Sequence, residues 1–339
     1  MFRGLDAAAE ALGGKVSVKH GHPPTPHYGD RIIPSYPGFA DIVRSRDHFI
    51  LVGDTQGTSY LEFWRERNDQ ERRQILGEIV RRRPAFVVHL GDLTVRGSSR
   101  RLWEQFDRFH EGFLKHRIPY LPLLGNHELY GDDSKALRNY FQRFPHLEDR
   151  RWYSFTWKNV GLILVDSNFP TLTRKQTDEQ RDWYLAELKR FEENQKVRRV
   201  IVCCHRSPFT NSTISRRRKK VGAFFADPFL GFRKTCLFFS GHSHTYERFQ
   251  VDGKFFIVSG GGGAPRHHVH VEPDKRRYED LFRGPRRRFF HFCEVHAQDG
   301  ALAFRAVKLD ADGAFSVADS TVLKTRGHAA KPASCRSTA

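Results

Sequence analysis

Five apolar runs punctuate this chain, and each stops at an Asp, Asn or His. They are Phe49-Ile50-Leu51-Val52-Gly53-Asp54, Phe86-Val87-Val88-His89-Leu90-Gly91-Asp92, Tyr120-Leu121-Pro122-Leu123-Leu124-Gly125-Asn126, Val200-Ile201-Val202-Cys203-Cys204-His205 and Leu237-Phe238-Phe239-Ser240-Gly241-His242. A run rich in β-branched and aromatic residues that breaks off this way predicts a buried strand ending at a sheet rim. In all but the His205 run a glycine precedes the polar residue and lets the backbone turn tightly there. Between the runs the period becomes helical. Residues 61 to 82 set Leu61, Trp64, Ile75, Leu76, Ile79 and Val80 among charges, predicting an amphipathic helix that Pro84 stops. Leu102, Phe106, Phe109 and Phe113 recur at i, i+4, i+7 and i+11 and predict a second helix, and a third is expected over 134 to 144. Strand, helix, strand in alternation implies a parallel sheet with right-handed crossovers.

After residue 150 the pattern changes. Trp152 to Thr156 and Val160 to Asp166 flank Lys158-Asn159 and predict a hairpin that opens a second sheet half. Thr177-Asp178-Glu179-Gln180 matches a capping box, and Tyr184, Leu185, Leu188 and Phe191 give the helix behind it an apolar face. Phe255 to Ser259, Phe289 to Val295 and Ala301 to Lys308 predict further strands, with a turn at Asp310 to Gly313. Residues 1 to 47, with Gly13-Gly14 and prolines from Pro23 to Pro37, are expected to form an extension wrapped on the body or partly mobile. Residues 48 to 325 then form one domain and residues 326 to 339 a disordered tail.

With 339 residues, 39% of them hydrophobic, the chain is long enough to bury one large core. Lys plus Arg number 57 against 39 for Asp plus Glu, a formal charge of +18. Such an excess favours an anionic partner: a phosphate ester, nucleic acid or an acidic membrane surface. Cys203, Cys204, Cys236 and Cys293 fall in apolar runs and Cys335 in the polar tail, a usage expected of reduced thiols in the cytoplasm. No apolar stretch reaches the ~18 residues of a membrane span, and no export signal is visible.

The polar ends of the runs carry the chemistry. Gly53-Asp54-Thr55-Gln56-Gly57, Gly91-Asp92, Gly125-Asn126-His127-Glu128, His205 and Gly241-His242-Ser243-His244 would converge if the strands share one rim, because ligands of open α/β sheets bind beyond the carboxyl ends of strands. Carboxylate, amide oxygen and imidazole are donors for divalent cations, and two cations about 3.5 to 4 Å apart need a bridging carboxylate. Asp92 is the expected bridge. Asp54, Gln56 and His244 complete one ion, and Asn126, His205 and His242 the other. The donors suit manganese, iron or zinc. Alternating His242 and His244 cannot both point one way along a strand, so a loop is expected there. Each stretch alone has an ordinary structural reading, since Gly-Asp is common at turns. Five in order at the ends of apolar runs point to one site.

At these residues the chain resembles the calcineurin-like metallophosphoesterases, whose pattern is Asp-x-His, Gly-Asp, Gly-Asn-His-Asp/Glu, a later His and Gly-His-x-His. The resemblance spans residues 48 to 262. It implies an α/β fold, a four-layer α/β/β/α sandwich of two mixed sheets, and a dinuclear metal centre that hydrolyses phosphate esters by attack of a metal-bridging hydroxide. Gly241 to Arg248, and Gly260 to Pro265 after it, resemble the purple acid phosphatase branch most. In that branch a Tyr three residues after the bridging Asp binds ferric iron; Val95 stands here, so no purple ferric centre is expected. Gln56 replaces the usual His, and its amide oxygen can still ligate a hard cation. Gly91-Asp92-Leu93-Thr94-Val95-Arg96-Gly97 keeps the Arg spacing of the protein Ser/Thr phosphatases, where that Arg holds the phosphate, which makes Arg96 a candidate phosphate binder.

His127, beside Asn126, is the expected group to protonate the leaving group or steady the transferring phosphoryl group, with Glu128 either orienting it or starting a helix. The segment Arg216-Arg217-Arg218-Lys219-Lys220 is a candidate grip on an anionic substrate. The expected activity is a phosphomonoesterase. Its rivals are a phosphodiesterase or pyrophosphatase acting on nucleotides or lipid headgroups, a catalytically silent scaffold on the same fold, and a nucleic-acid-binding module.

Overall fold

The computed structural model describes residues 27–28, 31–59, 64–215, 218–298 and 301–324. Its strands are β1 (His27–Tyr28), β2 (Arg31–Ile32), β3 (His48–Val52), β4 (Val87–His89), β5 (Tyr120–Pro122), β6 (Tyr153–Trp157), β7 (Val160–Leu164), β8 (Arg199–Cys204), β9 (Thr235–Ser240), β10 (Tyr246–Val251), β11 (Lys254–Ser259), β12 (His291–Gln298), β13 (Ala301–Leu309) and β14 (Phe315–Lys324). Apart from the β1-β2 pair they form two six-stranded sheets, ordered β14-β13-β12-β3-β4-β5 and β10-β11-β9-β8-β7-β6. Both sheets are mixed. In the first, β3, β4 and β5 run parallel and β12 to β14 antiparallel. In the second, β7, β8, β9 and β11 run parallel, with β6 and β10 antiparallel at the edges.

Alternation along the second sheet explains the layering. Leu162, Leu164, Ile201, Cys203, Leu237, Phe239 and Ile257 share one apolar cluster with Phe49, Leu51, Val295 and Phe304 of the first sheet. Their sequence neighbours Ile163, Val165, Val202, Cys204, Phe238, Phe256 and Val258 point to the other face. There they meet Tyr184, Leu188 and Phe191 of helix Arg174–Glu193 and the short helices after Arg218. Period-two alternation with both faces apolar is what a sheet covered on both sides requires. On the first sheet, helices Asp69–Arg82 and Arg100–Phe109 bury Ile75, Leu76, Ile79, Trp103 and Phe106. The result is helices, sheet, sheet, helices. Each fully buried side chain of this size contributes about 1.5–3 kcal/mol relative to exposure, so the two clusters hold the layers together.

Several expected elements differ in extent. The helix expected from residue 61 begins at Asp69, and Trp64 is 70% exposed. The residues before it are drawn away to a distant loop: Arg65 Nη2 donates to the Pro265 carbonyl at 2.8 Å, and the Glu66 carboxylate accepts from the Arg266 amide at 2.6 Å. The Leu102 to Phe113 pattern is two helices, Arg100–Phe109 and Glu111–Lys115. They part at His110, whose ring stacks on Phe106 at 3.9 Å. Helix Arg174–Glu193 starts before the expected Thr177, with Thr173 and Gln176 as its capping box. Gln180 faces inward instead and exchanges hydrogen bonds with the Asp166 backbone. Strands β10 and β14 were not expected. Before β3, Ile33 and Tyr36 are buried, Tyr36 against Phe106, Tyr120 and Phe144. The expected tail at 326 to 339 and most of the expected extension lie outside the described residues.

Candidate metal centre

The carboxyl ends of strands from both sheets meet at one rim, stitched by backbone. Asp54 N donates to Gly91 O at 3.0 Å, Gly241 N to His205 O at 3.0 Å, and His242 N to the Asp54 carboxylate at 3.0 and 3.1 Å. Asp54, Asp92 and His242 adopt φ of 59°, 60° and 66°. Left-handed backbone at a non-glycine residue costs of order 1–3 kcal/mol and clusters at functional sites. Here it aims three candidate ligands inward. The preceding glycines serve a different end from the one expected. Only Gly91 has positive φ, whereas a Cβ on Gly125 would lie 2.1 Å from Asp92 Oδ1. That glycine is needed for close approach.

The other six expected ligands lie around Asp92. Donor atoms of Asp54, Asp92 and His244 lie within 4.8 Å of one another, and so do those of Asp92, His205 and His242. His205 Nε2 is 3.2 Å from Asp92 Oδ2 and 3.1 Å from Asn126 Oδ1. His244 Nε2 is 3.4 Å from Asp54 Oδ1 and 3.3 Å from Gln56 Nε2. The loop expected for the His242 and His244 pair joins β9 to β10. Asp54, Asp92, His205 and Gln56 are almost wholly buried.

Charge in this buried knot is mutually arranged. Burial opposes ionisation of Asp92, yet the imidazoles of His205 and His127 hold its carboxyl well below the usual range. Burial likewise opposes the charged His205, but Asp92 lifts it to about 9. His242 is pushed well down by burial and then by His205 and Arg206. Cation binding here is therefore coupled to proton release, because imidazole ligates only in its neutral form.

The residues fit a pair of divalent ions, because hydrogen bonds behind them leave lone pairs in front. His205 Nδ1 donates to the Leu90 carbonyl at 2.8 Å and His244 Nδ1 to the Pro265 carbonyl at 2.7 Å, so in the neutral rings each Nε2 presents its lone pair to the site. Asn126 gives its amide N–H to Tyr130 Oη at 2.9 Å, which turns Oδ1 toward His205. Gln56 Oε1 is buried with no hydrogen-bond partner, an orphan that a cation would satisfy.

Glu128 does not orient His127. Its buried carboxylate accepts the amides of Asp92 at 2.8 Å, Leu93 at 2.7 Å, Thr94 at 3.1 Å and Gly125 at 2.7 Å, tying the loop after β4 to the loop after β5. His127 is set by Val95, whose carbonyl accepts from Nδ1 at 2.8 Å, leaving Nε2 3.9 Å from Asp92 Oδ2. Arg96 is exposed on the cleft wall, with Nε 3.3 Å from Ser98 Oγ. Of the basic segment, Arg216 and Arg217 lie outside the described residues, Arg218 lines the cleft, and the Lys220 ammonium sits over Phe169 at 4.4 Å.

Three residues at the site escaped the sequence reading. Tyr130 holds Asn126; Arg206 Nη1 donates to His242 Nε2 at 3.1 Å; His267 stacks on His244 at 4.2 Å. Tyr130 and Arg206 could have been suspected from their nearness to Asn126 and His205 in sequence, but His267 had no signal. Outside the knot opens a cleft of about 1210 Å³, lined by Arg65, Arg67, Arg96, Arg101 and Arg218, with Tyr130 and Ile214 as its exposed apolar surface.

Two mixed sheets with helices outside, and a buried carboxylate and imidazole knot at their common rim, define a metal-dependent hydrolase architecture. A family model described as calcineurin-like phosphoesterase matches residues 48–246. The chain belongs to that family, which is defined by phosphoester hydrolysis at a dinuclear metal centre. Among curated proteins, it is 26% identical over 202 residues to purple acid phosphatase 21 of Arabidopsis thaliana. The match covers 54% of this chain and 45% of the relative, so the chain spans about half the length of that relative. Among solved structures, a purple acid phosphatase from yellow lupin (Lupinus luteus) superposes with TM-score 0.62 at 19% identity, covering 85% of this chain and 55% of that one. The Plasmodium anchor of the inner membrane complex gives 0.57 at 17%, covering 83% and 90%. A dimetal phosphatase from Danio rerio gives 0.53 at 16%, covering 82% and 99%. At such identities these structures share the fold. No described helix is long and apolar enough to cross a membrane.

Proposed function

We propose that the chain is a metal-dependent phosphomonoesterase whose catalytic unit spans residues 48–325. The observation that carries this reading is the convergence of Asp54, Gln56, Asp92, Asn126, His205, His242 and His244 on one buried rim open to an arginine-lined cleft. Asp92 would be shared between the two ions, with Asp54, Gln56 and His244 completing the set that would hold one and Asn126, His205 and His242 the set that would hold the other. Manganese, iron and zinc all suit such oxygen and imidazole donors. Bound cations supply Lewis acidity, lowering the pKa of water and drawing charge from phosphoryl oxygens.

The chain's own groups position and protonate. With Nδ1 tied to Val95, His127 carries any second proton on Nε2, the atom facing the cleft, where it can pass to a leaving-group oxygen. Arg96 offers a planar guanidinium for a phosphate on the cleft wall. Arg206, donating to His242, fixes that ring against the rim.

A second reading, a diesterase or pyrophosphatase acting on a larger anionic substrate, draws support from the size of the cleft and its five arginines. The silent-scaffold reading has a counterpart in the Plasmodium neighbour, described as an anchor. Against it stands the donor set here, in which His205, His244, Asn126 and Gln56 keep lone pairs free on the side of the site.

The test is hydrolysis of p-nitrophenyl phosphate and of its bis-ester with added manganese, by the parent and by Asp92→Asn. Manganese-dependent turnover of the monoester, lost in the variant, is expected. Faster turnover of the bis-ester would replace the first reading by the second, and a metal-loaded parent inert to both would return the scaffold.

A further inference from the structure

At the far end of β3 from the rim lies a second cluster of donors. The β3-β12 register sets His48 directly opposite His296, and cross-strand neighbours place their side chains on one face. The two imidazoles stack at 5.1 Å and 23°. Asp47 reaches both. Its Oδ1 accepts from His48 Nδ1 at 2.9 Å, and its Oδ2 lies 3.9 Å from His296 Nδ1. One donor atom from each of the three residues lies within 4.8 Å of the other two.

We propose that Asp47, His48 and His296 form a further divalent-cation site, separate from the catalytic rim, that takes zinc or a similar borderline ion and clips β3 to β12. Two imidazoles and one carboxylate are the donor types such ions prefer, and three protein ligands with a fourth position open to water make a complete zinc shell. The side chains of His48 and His296 are 14% and 19% exposed and that of Asp47 57%, so the open position faces solvent.

Support behind the ligands matches the use. His296 turns its other nitrogen, Nε2, to Glu294 Oε2 at 3.3 Å, and Arg82 Nη1 holds Glu294 from the other side at 2.6 Å. A carboxylate behind a ligating imidazole fixes its tautomer and raises its basicity. His48 Nε2 is buried without a partner, and the hydrogen bond at the ring's other nitrogen goes to Asp47, itself a member of the cluster. Unlike the catalytic rim, the cluster needs no strained backbone: neither Asp47, His48 nor His296 has positive φ. Simple strand register supplies the geometry.

The test strips the full chain of metal, reloads it with zinc, removes free ion by gel filtration and counts bound zinc. His296→Ala is expected to hold one zinc ion fewer per chain than the parent, and zinc is expected to raise its Tm by less. Asp47→Asn, nearly isosteric, is the second variant and should lose the same ion. Hydrolysis of p-nitrophenyl phosphate should match the parent in both. Because the reading is a difference between proteins, it stands whatever the catalytic rim binds. Equal zinc content and equal zinc-induced Tm shifts in the parent and both variants would overturn the site.

Discussion

The knot around Asp92 and the wall of arginines outside it occupy one cleft and are built in opposite ways. In the knot the groups are buried, apart from the half-buried His242, and most are held from behind: Glu128 by four amides, His205 and His244 by carbonyls, Asn126 by Tyr130. On the wall Arg67, Arg96, Arg101 and Arg218 are exposed, and none of them forms an ion pair among the described residues. The difference separates two tasks. A buried, braced cluster fixes one geometry for the chemistry, whereas exposed guanidinium groups can follow a substrate and be exchanged without disturbing the fold.

That division predicts a graded series of losses. The largest is at the bridge: Asp92→Asn should reduce manganese-dependent hydrolysis to background, and wild-type turnover in that variant would break the assignment of the knot. Next comes the brace. Glu128→Gln replaces one carboxylate oxygen by a donor facing amides, and each amide left without an acceptor costs about 1–3 kcal/mol. Thermal unfolding should report a clear drop in Tm. Tyr130→Phe touches no metal, yet removes the acceptor that turns Asn126, and partners behind a ligand typically alter metal affinity by about 10–100-fold. Manganese titration of activity would reveal that as a raised half-saturation with near-normal kcat. Smallest is the wall: the Arg67→Gln, Arg101→Gln double variant should keep its Tm and lose only about 0.2–1 kcal/mol of binding per exposed contact, read as a modest rise in KM. A large Tm loss there would erase the contrast.

Legibility in the sequence follows the same divide. Asp54, Asp92, Asn126, His205 and His242 stood out because each closes an apolar run, and a buried parallel strand has to be such a run. A parallel sheet and a second sheet half followed from those runs and from the switch of pattern after residue 150, whereas the four-layer sandwich came from the resemblance to the calcineurin-like family. What escaped depends on partners distant in the chain. Glu128 does lie in the first turn of a short helix, His127–Leu129, but three of the four amides it holds are 34 to 36 residues away. Strand β14 escaped because Val317 and Val322 are 54% and 60% exposed, so no buried face marked it. In β10 the alternation was hidden by Glu247, a buried carboxylate that Thr210 and the Asn211 amide satisfy. Helix starts slipped wherever side chains found better acceptors elsewhere, as at Arg65 and Gln180.

The pairing of β3 with β12 also sets a timetable. On the ribosome β3 emerges early and can find β4, but its other neighbour, and the His242 that rests on Asp54 188 positions away, do not yet exist. At about 5–20 residues per second, synthesis leaves that edge of β3 open for ten seconds or more. The nascent chain therefore carries a long-lived unpaired edge, and the rim is one of the last places to be assembled.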